Sequence, residues 1–176
     1  MSRAGGIVNG KMKMKTDSPD VGKTPSESSV HLAQLMLPEH ANPLGNVHGG
    51  VIMKLADEAG SLAAMRHAGM HAVTVFVESM TFDEPVAVGA LLHLNAQVSW
   101  VGRSSIEVLV RVDAENPLTG HVVATNSAFF VYVALDKKGT PTLVPRLVCE
   151  NERQKELVAD GEKRKSARLS MRSDNN

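Results

Sequence analysis

Hydrophobic and polar positions change period along this chain. In ALLHLNAQVSWV (90–101), Leu92, Leu94, Ala96, Val98 and Trp100 alternate with His93, Asn95, Gln97 and Ser99, the two-residue period of a strand with one buried face. SIEVLVRVD (105–113) repeats the pattern with Ile106, Val108, Val110 and Val112, and Gly102-Arg103-Ser104 reads as the hairpin connection between the two. AVTVFVESMTF (72–82) and HVVATNSAFFVYVAL (121–135) are rich in β-branched and aromatic residues, with Glu84-Pro85, NPLTG and DKKG as punctuation. VHLAQLML (30–37) predicts a first strand that Pro38 ends. Only residues 48–67 carry a helical period, and Gly69 supplies the stop. Strand, helix, then four strands in meander connections predict an α+β fold, one long helix against an antiparallel sheet.

On a wheel at ~100° per residue, Val51, Ile52, Leu55, Ala59 and Leu62 form the stripe expected to face the sheet. Lys54, Glu58, Ser61 and Met65 form a narrow, partly polar strip. Met53, Ala56, Asp57, Gly60 and Ala64 form a second apolar side whose small residues would admit another backbone. The economical cover for it is a second copy of the chain about a twofold axis. Asp57 is the exception on that side, and a buried carboxylate is costly unless paired or hydrogen-bonded.

Charge and composition narrow the chemistry. Nineteen Lys and Arg balance nineteen Asp and Glu, so no global field favours nucleic acid or an anionic membrane. Cys149 is the single cysteine, which excludes an internal disulfide and fits a reducing, cytoplasmic setting. No apolar run approaches the ~20 residues of a membrane span, and the first residues lack a signal-peptide core. Residues 1–29 carry little to bury and read as a disordered arm, and 30–148 as the domain. Residues 149–176 read as a charged helix and tail in which Lys163, Arg164, Lys165, Arg168 and Arg172 favour a solvated helix over a nucleic-acid contact, since no aromatic residue is interleaved.

Gly49-Gly50 opens the helix, and backbone N–H groups at a helix start suit an oxyanion or phosphate. Neither GK[ST] nor GxGxxG is present, so nucleotide binding is unsupported. An oxyanion site with a buried carboxylate near it is a layout for acyl transfer. Seven residues at ~1.5 Å rise place Gly50 and Asp57 roughly 10 Å apart along the axis, too far to act on one carbonyl and one water. Sites shared between two antiparallel helices of a dimer would remove that difficulty.

The blocks HANPLGNVHGGVIMKLADEAG, VESMTFDEPVAVG, SWVGRSSIEV and SAFFVYVALDKKGTPTLVPRLV, in this order and spacing, resemble the acyl-CoA thioester hydrolases of the hotdog fold, in particular the cytosolic long-chain acyl-CoA hydrolases. The resemblance runs from Val30 to the C-terminal helix. It implies a central helix wrapped by the sheet, dimers with continuous sheets, commonly a trimer of dimers, and hydrolysis of fatty acyl-CoA without a cofactor. It also implies catalytic roles for Asn46 and Asp57, divided between two units in tandem members and both kept in this single unit. The turn holding Arg103, Ser104 and Ser105 corresponds to one near the coenzyme A phosphates, where arginine can pair with phosphate and serine can donate.

Other candidates are weaker. His48 stands beside the helix start and reads as a packing or hydrogen-bonding residue; as a base it would fit an acyl-CoA hydratase or dehydratase instead. His48, His67 and His71 lack the spacing of a zinc helix, so no metal is expected. Ser61 has no G-x-S-x-G elbow, and Cys149 has no matched partner. Glu58 points to the polar strip, and Glu78 reads as a buried partner of another group. A silent acyl-CoA-binding regulator is the remaining alternative, and it would bind without turnover.

Overall fold

The computed structural model describes residues 22–173. A one-turn helix α1 (Pro25–Ser28) precedes strand β1 (Val30–Leu35), and the long helix α2 (Gly49–Ala68) follows. Strands β2 (His71–Phe82), β3 (Leu91–Val101), β4 (Ser105–Asn116) and β5 (His121–Leu135) come next, and α3 (Glu152–Ser173) closes the chain. All pairings are antiparallel, and the sheet order is β1-β3-β4-β5-β2. The expected meander therefore holds only for β3, β4 and β5. β2 lies at the far edge beside β5, and the segment 83–90 carries the chain back across to β3.

α2 packs on one face of this sheet. Ile52, Leu55, Ala56, Ala59, Ala63 and Ala64 meet Leu92, Leu94, Val98, Val108, Val110, Phe130 and Tyr132 in one core. The phase of the wheel is corrected by this. Ala56, Gly60 and Ala64, expected to face a second copy, are buried with the sheet-facing residues, whereas Leu62 of the expected sheet stripe is 41% exposed. Small residues contribute little area to a wheel but let the helix approach closely, so here they mark the sheet face. Gly69, at φ 70°, ends the helix in the left-handed region and donates its N–H to Met65 O at 2.8 Å.

The opposite face of the sheet is also covered. A bulge between Val98 and Trp100 interrupts β3, so Trp100 leaves the alternation read from the sequence and turns to the outer face. There its Nε1 donates to Glu162 of α3 at 2.8 Å, and a side chain at Gly161 would overlap the indole. Arg164 donates to the fully buried Glu107 at 2.8 Å and lies 3.8 Å from the Phe129 ring centroid, while Arg168 bridges Glu107 and Glu78. Residues 149–173 are thus no solvated appendage; α3 belongs to the same folded unit. Glu78 is the partner of Arg168, as its position on the strand anticipated.

The expected arm 1–29 lies outside the described residues up to 21. Residues 22–29 fold onto the core: Thr24 caps α1 with its side chain, Pro25 and Ser28 are buried, and Lys23 N–H donates to Arg146 O at 2.8 Å. The fully buried His67 ties this segment down, with Nε2 donating to Pro145 O at 3.0 Å and Nδ1 facing Ser28 Oγ at 3.3 Å.

Two outcomes follow from these buried polar groups. Burial holds the His67 imidazole below its ordinary value of 6.5, against the opposing effect of its bond to Pro145. The unfolded chain therefore binds the proton more readily, so the contribution of neutral His67 is full above about pH 6.5 and is lost as pH falls below it. Urea midpoints at pH 7.5 and 5.5 should fall with acid in the wild type and fall less in His67→Gln. Replacing both Arg164 and Arg168 by Ala strands Glu107 without a counter-charge and should cost about 3–5 kcal/mol in the same assay.

Candidate active site

The loop before α2 is built by one side chain. Asn42 Oδ1 accepts from the N–H of Leu44 at 2.9 Å and of Asn46 at 3.3 Å, while Asn42 N–H donates to Asn46 O at 2.7 Å. This Asx-type arrangement folds NPLGN into a compact turn and leaves the Asn42 amide nitrogen as a donor. Val47 N–H then bonds Val86 O at 2.8 Å and fixes the entry to the helix. Asn42, Asn46, Gly49, Ile52, Phe82 and Pro85 line one recess at the start of α2.

His48 is the N-cap: its Nδ1 accepts from Gly50 N–H at 2.9 Å. The hydrogen-bonding role expected for His48 is its role here, and it occupies the Gly50 donor. Gly49 N–H, at the first position of the helix, has no acceptor within the helix. Gly49 itself sits against the Phe82 ring, which a Cβ would approach to 3.1 Å.

Asp57 lies at the margin of the buried face of α2, half-buried in the single chain. Its Oδ1 accepts from Thr74 Oγ1 on β2 at 2.7 Å and from the Tyr132 hydroxyl on β5 at 3.2 Å; the same hydroxyl lies 3.1 Å from the Asp57 carbonyl oxygen. Burial first, then the Asp57 charge and its hydrogen bond, push the Tyr132 hydroxyl far above its ordinary range, so it stays protonated. Both donors meet one oxygen, and Oδ2 remains for a further partner.

Arg103 is exposed at the turn between β3 and β4, which Gly102 N–H closes onto Ser105 O at 2.8 Å. Arg103 and Ser104 line a separate recess with Pro141, Thr142 and Leu143, and Ser105 lies under α3 with Trp100 and Lys165. Within one chain, then, Asn46 and Gly49 share a recess, Gly50 is engaged by His48, and Asp57 and Arg103 stand elsewhere. Thr74 and Tyr132 had no signal in the sequence: a threonine in a β-branched strand and a tyrosine in an aromatic one are ordinary until the strands meet the helix. Asn42 carries no signal in the sequence, because asparagine is common in loops.

Residues 44–121 match the thioesterase superfamily domain. The cytosolic acyl coenzyme A thioester hydrolase of Mus musculus is 36% identical over 146 residues, 78% of this chain and 38% of that protein. The chain thus spans little more than a third of the mammalian relatives it matches. An uncharacterized acyl-CoA thioester hydrolase of Bacillus subtilis, YkhA, is 35% identical over 128 residues, covering 73% of this chain and 74% of that one. Among solved structures, an acyl-CoA hydrolase of Staphylococcus aureus in complex with butyryl coenzyme A and coenzyme A superposes with a TM-score of 0.80 at 29% identity, over 87% of this chain and 93% of that one. It has also been solved with an asparagine, an aspartate or a threonine replaced by alanine. A hexameric acyl-CoA thioesterase superposes with a TM-score of 0.82 at 34% identity, over 86% of this chain and 97% of that one. With a single central helix, an antiparallel sheet and these relatives, the chain belongs to the acyl-CoA thioester hydrolases of the thioesterase superfamily, the hotdog fold.

Proposed function

We propose that this chain hydrolyses fatty acyl-CoA to the free acid and coenzyme A, in the cytoplasm and without a cofactor. The observation that carries the reading is Asp57, a carboxylate held through one oxygen on the helix that begins at Gly49. In the proposed reaction, water attacks the thioester carbonyl carbon while Asp57 Oδ2 takes its proton. The helix start stabilises the oxyanion through Gly49 N–H and the positive end of the helix, while Gly50 N–H stays with the His48 cap. The C–S bond then breaks, and the coenzyme A thiolate leaves and is protonated.

The three positions replaced in the Staphylococcus aureus hydrolase are spaced by 15 and 17 residues. Asn42, Asp57 and Thr74 have the same spacing here. This favours Asn42 beside Asn46 as the asparagine that meets the thioester, and its amide nitrogen is the donor the loop leaves over. Arg103, with Ser104 in the same recess, is the proposed partner of the coenzyme A phosphates, whereas Ser105 lies apart under α3. A hydratase would use His48, but its Nδ1 already caps α2.

The separation of the recess from Asp57 supports sites shared by two chains. β2 supports the dimer independently. It is an edge strand of 12 residues, with Val73 and Val75 each 44% exposed. A long apolar edge invites aggregation unless another strand covers it, and a second β2 across a twofold axis would continue the sheet. The hexameric relatives make a trimer of such dimers the assembly we propose.

Asp57→Asn, nearly isosteric, should remove most thiol release from acyl-CoA while leaving the melting temperature and substrate binding in place. Wild-type turnover in that variant would remove the carboxylate from the reaction. Co-refolding inactive Asn42→Ala with inactive Asp57→Asn subunits should restore activity. With random pairing about half the dimers are mixed, each with one intact site, so recovery should approach about a quarter of wild type. Verified subunit exchange without recovery would place the whole site in one chain.

A further inference from the structure

Tyr132 and Gly60 form a unit with Asp57 and lie outside the residues assigned to the reaction above. Thr74 and Tyr132 are direct cross-strand partners in the β2–β5 ladder. Side chains at such a pair stand on the same face about 5 Å apart, a spacing that lets two hydroxyls close on one carboxylate oxygen. The ladder shifts register immediately after Thr74, so the bulge lets Thr74 face the helix while Phe76 turns outward to Arg168. Tyr132 is fully buried, and its phenol runs beneath α2 to reach Asp57. It passes at Gly60, where a Cβ would overlap the hydroxyl oxygen and stand 3.2 Å from the ring carbon that bears it. Any residue but glycine there would push the phenol off Asp57.

We propose that Tyr132 is a positioning residue: its hydroxyl, admitted by Gly60, shares its one proton between the Asp57 carbonyl oxygen and Oδ1, fixing the carboxylate so that Oδ2 faces the attacking water. The hydroxyl spans the backbone and side chain of one residue, which locks the side-chain rotamer as well as its hydrogen bond. Thr74 on the exposed β2 edge cannot do this alone, because its bond reaches only the carboxylate. The inference rests on the reading of Asp57 as the base.

The test is steady-state thiol release by Tyr132→Phe, which keeps the buried ring. The expected result is a kcat about tenfold lower, in line with a lost hydrogen bond to a charged group, with KM within about twofold of wild type. A folded Tyr132→Phe with wild-type kcat would overturn the proposal, as would a loss confined to KM. Gly60→Ala retains the hydroxyl but displaces it, and should reproduce the kcat loss at unchanged KM; wild-type kcat there would equally overturn it. Combining the two substitutions removes the overlapping oxygen, so Gly60→Ala should lower the melting temperature less in the Tyr132→Phe background than in wild type. Asp57→Asn measured alongside separates the two failures. Wild-type turnover there would sink the base itself, whereas loss there with full activity in Tyr132→Phe would sink only the positioning role.

Discussion

The close seating of α2 on the sheet is the constraint from which the site follows. Ala56, Ala59, Gly60, Ala63 and Ala64 are buried along the contact. Because they carry almost no side chain, the helix backbone comes near enough for side chains of the sheet to bond it directly, as Tyr132 does at the Asp57 carbonyl. Larger residues would add apolar area but lift the helix away, and the carboxylate at its margin would lose both strands at once. Helix and strand chemistry are therefore coupled here through packing distance.

The two faces of the sheet share the work of holding β2. On the inner face, Thr74 bonds Asp57; on the outer face, Glu78 pairs with Arg168 of α3. The bulges in β2 are what allow one strand to serve both. The buried Glu107 joins Ser99, Arg164 and Arg168, so the outer cluster is satisfied by several partners rather than one. Such a cluster adds little net stability compared with an apolar contact, but it fixes where α3 sits. The C-terminal helix thereby braces the strand that carries one of the two donors to Asp57.

Much of this was readable from residue order. The alternation in 90–101 and 105–113 placed Leu92, Leu94, Val108 and Val110 correctly, because the helix-facing side of both strands keeps a regular two-residue period up to the bulge. Asp57 stood out because an acid among alanines and glycines has to be compensated. The wheel failed where size mattered more than polarity: Gly60 and Ala64 looked available to a partner, and they contact the sheet. Trp100 failed because a bulge shifts every later side chain to the other face. Arg164 and Arg168 looked solvated because Glu78 and Glu107 lie 90 and 57 residues away from them in the chain. Tyr132 was invisible for the same reason, since its bond to Asp57 exists only after β5 meets α2.

Hydrolysis of an acyl thioester by this chain is read without any substitution on the unmodified protein. Free thiol and free acid are measured together while acyl-CoA esters of graded chain length are supplied. Catalytic turnover with thiol and acid released in equal amounts is the expected result. Saturable acyl-CoA binding with no thiol released, or water added to the acyl chain with the thioester intact, would contradict it.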